Sequence, residues 1–335
     1  MVASERRCGM NRHIQPEGSG HPSDAGGWCR GCGYHSVFAS LQTLVERNGH
    51  AQERTVFLCG DGCPSLLPDP PRNFIFQGAS GCAATLALGV TSANPSLDVW
   101  AMSADGDALA DGAAALLELI RHNADVSCLV FRDAFAGRTD SPQNASTTAL
   151  EVPGGPVVPN ANACRLAIGA GGSFVARAHE AHDETLRTVL AAAQAHRGAG
   201  FVEILQVCLA RHPVMDVGAE EMLEVTHGAP MIFGADRDKG LRRTTAVACG
   251  FEVVALTKGS REDAGLAVHD ETDPGQAILL TDLPRPAFPI VTGVLYRQPE
   301  PRPRPAAPVE PDFQARRAAL ARAMQDAPTW DGTGE

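Results

Sequence analysis

The segment that decides the fold runs from Leu97 to Asp133 and reads LDVWAMSADGDALADGAAALLELIRHNADVSCLVFRD. It opens with an apolar, strand-like run, Leu97–Met102, and closes with a second one, Val126–Phe131. Between them, Ala108–Asn123 carries apolar residues at helical spacing. This order of strand, helix and strand predicts two parallel strands that end at the same edge of a sheet.

The same alternation continues on both sides of this segment. Further strands are predicted at Thr55–Cys59, Phe174–Ala176 and Phe201–Leu205, and a last one within residues 288–297, FPIVTGVLYR. Further helices are predicted at His35–Asn48, Cys82–Ser92 and Glu184–His196, and a short terminal helix at Gln314–Gln325. Together they predict an α/β fold with a mostly parallel sheet flanked by helices.

Changes in composition divide the chain into four parts. Residues 1–27 are polar and rich in glycine, serine and proline, which predicts a flexible leader. An α/β domain is expected over residues 28–210, with a C-terminal extension, 211–297, packing on it. Residues 298–335 form a proline-rich tail that ends in the short helix. We find no internal repeat.

Charge and cysteine content narrow the class of protein. The 335 residues carry a net charge of −11 and have a pI of about 5.5, which argues against nucleic acid as a partner. We see neither a secretory signal nor an apolar stretch long enough to cross a membrane, so we expect a cytoplasmic protein. In that reducing compartment the ten cysteines are expected to be buried, catalytic or metal-bound rather than disulfide-linked.

Four cysteines are candidates for one metal centre. Cys29 and Cys32 form the motif CRGC, Cys63 lies in FLCGDGC after a strand, and Cys208 follows another strand in ILQVC. A CxxC turn supplies two thiolates from one segment and distant strand ends can supply the others, for zinc or for a [4Fe–4S] cluster. The alternative is a lone CxxC turn with ordinary cysteines elsewhere. Apolar filling or a surface position is expected for the remaining cysteines, Cys8, Cys59, Cys82, Cys128, Cys164 and Cys249.

A second set of residues suits a diphosphate and its cation. Asp105 and Asp107 follow one strand in ADGD, and Asp133 follows the next. Oxygen ligands at neighbouring strand ends can hold Mg²⁺ against a diphosphate, with Gly106 allowing close approach of the backbone and the following helix favouring negative charge. The alternative is a simple DG turn that caps a helix.

Taken together, these motifs resemble those of one enzyme family. WCRGCG (28–33) resembles the WCPGCG signature of the β subunits of 2-oxoacid:ferredoxin oxidoreductases, and GDGCPSLLP (60–68) resembles their GIGCSSRLP. The segment around ADGDALADG resembles their GGDGDALAIGG, and VEILQVC (202–208) matches the position of their fourth cysteine. MIFGADRDKGLR, LAVHDET and FPIVTGVLYR resemble a C-terminal signature of some members. The resemblance runs from Trp28 to about Arg297.

The resemblance implies a thiamine-diphosphate-binding fold, with the iron–sulfur ligands within residues 28–210. Cys29, Cys32, Cys63 and Cys208 would ligate a [4Fe–4S] cluster, and Asp105, Asp133 and Phe135 would contribute to the Mg²⁺ site. The residues implied to surround the cofactor are Asp61, Gly62, Cys63, Ser80, Gly81, Ala104, Asp105, Gly106, Asp107, Asp133, Phe135, Gly137 and Thr139. The glutamate that activates thiamine is expected on a partner α subunit, so this chain resembles half of an active site.

The implied reaction is the oxidative decarboxylation of a 2-oxoacid to an acyl-coenzyme A, with electrons passing through the cluster to ferredoxin. Departures from the family motifs concentrate near the site: Asp61, Leu66, Ser80, Cys82, Ala104 and Asp133 replace an apolar residue, a basic residue, histidine, arginine, glycine and asparagine. These changes imply an altered substrate or a lost activity. Without the basic residue at Leu66, the pocket is expected to disfavour 2-oxoglutarate and to favour a monocarboxylate.

Three other hypotheses remain open on the residues alone. The first is a different thiamine-dependent reaction, such as decarboxylation with another acceptor. The second is a non-catalytic partner that binds a cluster. The third is a zinc-stabilised structural protein, which fits the cysteines but not the arrangement of Asp105 and Asp133.

Overall fold

The computed structural model describes residues 27–29, 31–47, 54–66, 74–133, 161–208, 222–257, 265–298, 317–318 and 321–322. Their helices are α1 (Tyr34–Arg47), α2 (Ala83–Ala93), α3 (Ala113–His122), α4 (Ala163–Gly169), α5 (Asp183–Ala195) and α6 (Pro274–Thr281). Their strands are β1 (Thr55–Cys59), β2 (Phe74–Gln77), β3 (Asp98–Ala104), β4 (Val126–Asp133), β5 (Phe174–His179), β6 (Ala199–Gln206), β7 (Met222–Val225), β8 (Ile232–Phe233), β9 (Lys239–Arg243), β10 (Phe251–Ala255) and β11 (Ile290–Arg297).

The strands within the described residues form an eight-stranded sheet in the order β2-β1-β3-β4-β6-β5-β11-β7 and a separate antiparallel sheet, β10-β9-β8. The strands of the larger sheet pair in parallel except at β11, which runs antiparallel to β5 and parallel to β7. The predicted fold class, a mostly parallel sheet flanked by helices, is confirmed.

Side chains alternate between the two faces of the larger sheet. Leu129 and Phe131 of β4 point to a core shared with α1 and α5, while Cys128 and Val130 point to a core shared with α2, α3, α4 and α6. Such burial on both faces explains why the central strands are apolar runs. Every residue of β1 and of β6 is buried. Both faces of the sheet are thus covered, and the carboxyl ends of its strands form the edge where loops gather.

The helices and strands predicted in the first 210 residues lie within one to three residues of the observed ones. The chief difference is that Ala108–Asn123 divides into a π-helical turn, Asp107–Asp111, and α3. The edge strand β2, the short helix α4 and the elements β7–β10 and α6 were not predicted. Residues 1–26 and the proline-rich segment 299–316 lie outside the described residues, and the four described residues of the predicted terminal helix are helical.

The region 211–297 contributes β7 and β11 to the larger sheet, and β8–β10 form the small one. Its separation from residues 28–210 as an extension stays a prediction. Over the described residues, no helix is both long and apolar enough to cross a bilayer.

Candidate active site

Two buried carboxylates stand at neighbouring strand ends. Asp105 follows Ala104, the last residue of β3, and Asp133 is the last residue of β4. Ala104 pairs with Phe131, so both aspartates reach the same edge of the sheet, and each is only 8% exposed. The Asp105 carboxylate accepts a hydrogen bond from the backbone N–H of Gly106 at 2.8 Å. Two oxygen donors in this setting are suited to a hard cation such as Mg²⁺.

The backbone after β3 turns at once into helix. Gly106 has helical torsion angles, φ −61° and ψ −45°, and the π-helical turn Asp107–Asp111 follows. Because this conformation suits any residue, the φ of Gly106 does not by itself require a glycine here. Helical turns of this type often occur at functional sites.

The carboxylate of Asp107 is engaged by two other loops. Its Oδ1 accepts hydrogen bonds from the backbone N–H groups of Asp61 at 3.2 Å and Gly81 at 2.5 Å, and the Ser80 hydroxyl lies 3.2 Å away. Asp107 is 7% exposed. Residues predicted around the cofactor in the segments after β1, β2 and β3 are therefore brought together by one buried side chain.

Ser80 and Asp61, two of the departures from the family motifs, are exposed at this edge. The Ser80 Oγ lies 2.6 Å from Oδ2 of Asp111, and the Asp61 carboxylate accepts a hydrogen bond from the N–H of Gly62 at 2.7 Å. Asp111 itself stands where the resembling motif has isoleucine. This side of the site is therefore lined by carboxylates and a hydroxyl.

The cysteine segments approach the same edge on the α1 face. The Trp28 Nε1–H donates to the carbonyl of Cys63 at 2.7 Å, which joins the CRGC segment to the loop after β1. Burial, together with the charges of Cys63, Glu180 and Cys29, raises the pKa of Cys32 to about 11, against the lowering effect of a backbone hydrogen bond from Tyr34. Burial also raises the pKa of Tyr34, on which Cys63, Cys32, Asp105 and Cys208 act electrostatically as well. Tyr34 therefore lies near enough to Asp105 and to these three cysteines to be affected by their charges.

Over the described residues, the structure shows no group of three or more histidine, cysteine, aspartate or glutamate side chains placed to hold a metal ion. All four predicted cysteine ligands are half-buried. Thiols at this edge of the sheet are suitable ligands for a soft metal centre. In this structure, however, the four thiols do not converge on one point.

Three of the cysteines expected to be apolar fillers differ in burial from these four, and two do not. Cys59, Cys128 and Cys164 are buried, and burial raises the pKa of Cys59 and Cys128 to about 12. Cys82 and Cys249 are half-buried. Cys8, Phe135, Gly137 and Thr139 lie outside the described residues, so their predicted roles stay predictions.

Glu180 is a residue of the site that the sequence analysis missed. It follows β5, accepts a hydrogen bond from the N–H of Val207 at 3.0 Å, and lies so close to Gly33 that a Cβ there would meet it at 1.0 Å. Burial raises the pKa of its carboxyl to about 7 despite the bond from Val207, and Asp133 adds to the rise. It thus joins the CRGC segment to the residue before Cys208. Its only sequence signal is its position directly after a strand.

A cavity of about 620 Å³ opens at the opposite, amino-terminal edge of the sheet. Its charged residues already have partners: Asp98 accepts a bond from Gln194 at 2.6 Å, Asp125 pairs with Arg197 at 3.5 Å, and Arg54 donates to the carbonyl of Ser96 at 2.7 Å. Ligands in open α/β sheets bind at the carboxyl edge, which favours the aspartate and cysteine edge as the active site.

Comparison with known proteins agrees with this location. Residues 60–204, which include the loop after β1 and both buried aspartates, match the family model described as "Thiamine pyrophosphate enzyme, C-terminal TPP binding domain". The match supports thiamine diphosphate as the cofactor of this edge.

Two curated relatives are similar in sequence. The 2-oxoglutarate oxidoreductase subunit KorB of Mycobacterium tuberculosis is 33% identical over 273 residues, which are 76% of this chain and 70% of the relative. The 2-oxoacid:ferredoxin oxidoreductase 2, subunit beta, of Aeropyrum pernix is 32% identical over 194 residues, 56% of this chain and 62% of the relative.

A solved structure shares the fold. The 2-oxoglutarate:ferredoxin oxidoreductase from Magnetococcus marinus, solved with 2-oxoglutarate, coenzyme A and succinyl-CoA bound, superposes with a TM-score of 0.60 at 18% identity and covers 92% of this chain and 91% of its own. This structural likeness shows the fold, and the relative that is 33% identical, of which the chain covers 70%, shows the family. The chain belongs to the β subunits of the 2-oxoacid:ferredoxin oxidoreductases.

Proposed function

We propose that this chain, together with an α subunit, catalyses the oxidative decarboxylation of a 2-oxoacid to an acyl-coenzyme A, and passes the electrons through a [4Fe–4S] cluster to ferredoxin. The observation that carries the proposal is that the aspartate pair and the cysteine segments lie at the same edge of the sheet. Asp133 pairs in the sheet with Gln206, whose Oε1 lies 4.0 Å from the Cys32 sulfur. Asp107 of the ADGD loop accepts a hydrogen bond from the loop that carries Cys63. Electrons released at a cofactor held by the aspartates would have only a short distance to travel to the cysteines.

Asp105 and Asp133 are the proposed holders of Mg²⁺ and, through it, of the diphosphate. Their burial would cost free energy if both stayed charged without a cation, because two like charges at one edge repel each other. Bound there, thiamine diphosphate supplies the electron sink that cleavage of a carbon–carbon bond beside a carbonyl requires. This chain holds that cofactor in position, and the apolar strands beneath it exclude water. We identify no catalytic base among its described residues. We assign the activating glutamate to the α subunit.

The four half-buried thiols are the proposed cluster ligands. The pKa of Cys32 is raised because its thiolate would be buried beside Cys63, Glu180 and Cys29. A positively charged metal centre would reverse this effect, since it favours the deprotonated thiol. By contrast, burial raises the pKa of three buried cysteines, Cys59, Cys128 and Cys164, with no contribution from another thiol.

The 2-oxoacid is proposed to be a monocarboxylate with an apolar or neutral side chain. Leu66 packs with the apolar cluster on the α1 face and offers no charge. Ser80 stands between Asp107 and Asp111, so this side presents carboxylates rather than a cation. Among the described residues of these loops, a second substrate carboxylate would meet no charge-assisted partner and would be repelled by the aspartates.

Co-expression of the chain with its α subunit tests the proposal. The anaerobically purified complex should be brown, contain about four iron per β subunit as a [4Fe–4S] cluster requires, and hold thiamine diphosphate. It should reduce a dye or ferredoxin only when a 2-oxoacid and coenzyme A are both present. A colourless complex with zinc would overturn the cluster assignment. A complex with both cofactors and no turnover on any 2-oxoacid would favour a different thiamine-dependent reaction.

A further inference from the structure

The carboxylate of Asp107 accepts hydrogen bonds that binding of a cofactor alone would not require. Its Oδ1 accepts backbone hydrogen bonds from Asp61 at 3.2 Å and Gly81 at 2.5 Å. The first N–H belongs to the loop after β1 and the second to the turn between β2 and α2. Asp107 itself begins the π-helical turn after β3. One carboxylate thus connects three segments that are distant in sequence.

The Ser80 hydroxyl contributes less to this connection than the two backbone groups. It has a single proton, and its oxygen lies closer to Asp111 Oδ2, at 2.6 Å, than to Asp107 Oδ1, at 3.2 Å. The proton is best shared with Asp111, which leaves the N–H groups of Asp61 and Gly81 as the main donors to Asp107. These donors do not depend on side-chain identity. Asp107 therefore acts on the position of the loop backbones.

The second oxygen of Asp107 lies in a tight space. Its Oδ2 is buried, has no hydrogen-bond partner among the described residues, and lies against Gly60. A Cβ on Gly60 would be 1.9 Å from this oxygen. Gly60 does not have a positive φ, so its lack of a side chain is needed here only to admit the carboxylate.

The turn at Gly81 packs against the π-helical turn Asp107–Asp111. Gly81 has φ 76°, and a Cβ there would lie 2.6 Å from the carbonyl carbon of Asp111. The N–H of Gly112 closes the π-helical turn by donating to the carbonyl of Asp107 at 2.8 Å. The turn before α2 thus packs on the backbone of the segment that Asp107 begins.

We infer that Asp107 is a positioning residue, which acts by holding the Asp61–Cys63 loop and the Ser80–Gly81 turn against the helix start that follows Asp105. The inference rests on the proposed function, because these loops carry the proposed thiamine contacts and one cluster ligand, Cys63. Without this carboxylate the aspartate pair would remain, but the loops that face the rest of the cofactor would no longer be held beside it. Cofactor affinity is therefore expected to depend on a side chain that does not touch the metal.

The test compares three variants of the full chain in complex with its α subunit: Asp107→Ala, Gly60→Ala and the double variant. The measurement is the concentration of thiamine diphosphate that half-saturates the complex at fixed Mg²⁺, together with kcat at saturation. Each single change should raise that concentration about tenfold, which is about 1.4 kcal/mol and within the range of one or two lost hydrogen bonds. The double variant should be no worse than the worse single variant, because the methyl of residue 60 would occupy the space that the carboxylate left.

Two further variants separate positioning from stability. Asp107→Asn keeps the acceptor oxygen and should stay within about threefold of the parent. Asp98→Ala removes a carboxylate that accepts one hydrogen bond, from Gln194, at the opposite edge of the sheet, and should lower stability without changing the half-saturating concentration. The inference is overturned if Asp107→Ala, like Asp98→Ala, lowers the free energy of unfolding without changing the half-saturating concentration of thiamine diphosphate. It is also overturned if the effects of Gly60→Ala and Asp107→Ala on that concentration simply add.

Failure of the proposed function would look different from failure of this inference. If the parent complex binds no thiamine diphosphate, the proposed function is wrong. The free energy of unfolding of the same three variants then decides the inference. Effects that are clearly less than additive support the contact between residues 60 and 107, and additive effects reject it.

Discussion

Glu203 is the residue at which a single change should destabilise the fold most clearly. It lies in β6 and is completely buried, with its Oε2 2.5 Å from Arg177 Nε and its Oε1 3.2 Å from Arg132 Nη1. The Cys164 thiol also donates to Oε2 at 3.3 Å. Burial alone would raise the pKa of Glu203, but the two arginine charges outweigh it and hold the pKa below its usual range.

Replacing Glu203 with glutamine keeps the side-chain volume and removes the charge. Arg177 is only 7% exposed, so it would be left as a buried cation without its carboxylate. Breaking a buried pair in this way costs about 3–5 kcal/mol, which should lower the urea midpoint of unfolding by about 1–3 M. Since Arg132 precedes Asp133, thiamine diphosphate binding should weaken as well.

The matched control is Glu118→Gln on α3. Glu118 pairs with Arg121 at 3.2 Å, but its side chain is 51% exposed, so the change should cost less than about 1 kcal/mol. Urea unfolding followed by circular dichroism measures both variants. Equal costs for Glu203→Gln and Glu118→Gln would refute the reasoning, because burial would then make no difference to the ion pair.

The pH dependence of the same pair gives a second check. The folded-state pKa of Glu203 is depressed, so its stabilising contribution is present above the unfolded value of about 4.5 and is lost as the pH falls below it. The stability difference between the parent protein and Glu203→Gln should therefore be constant at neutral pH and shrink in acid. A difference that grew below pH 4.5 would contradict the assigned sign.

The remaining predictions concern the cofactors and the substrate. Cys208→Ser should remove most of the iron from the anaerobic complex, whereas Cys128→Ser, in a buried strand, should leave it; equal iron loss would reject the ligand set. Asp105→Ala should abolish Mg²⁺-dependent thiamine diphosphate binding in a calorimetric titration, while Asp133→Asn, which removes a charge beside the diphosphate, should leave binding unchanged or tighter. In a panel of 2-oxoacids, pyruvate and branched-chain or aromatic acids should be turned over in preference to 2-oxoglutarate, and the reverse order would refute the argument from Leu66.

Much of the central sheet is predictable from local pattern. β1, β3, β4, β5 and β6 are apolar runs separated by helices with apolar stripes, and this pattern depends only on which faces are buried. The ADGD loop and the cysteine motifs are also readable, because short-range turns and helix starts are encoded by neighbouring residues. Short elements were missed, such as β2, which has four residues and exposes Phe74 and Phe76, and α4, which has seven.

By itself, the sequence of this protein determined its fold class and its family, and it predicted the loops that carry the proposed chemistry. Only the tertiary structure decided how those loops contact one another. The insertion of β11 between β5 and β7, the bridge from Glu180 to Val207, and the bonds of Asp107 to Asp61 and Gly81 all join residues far apart along the chain. Local propensity carries no information on such pairs, because they form only when the whole sheet has brought the strand ends to one edge.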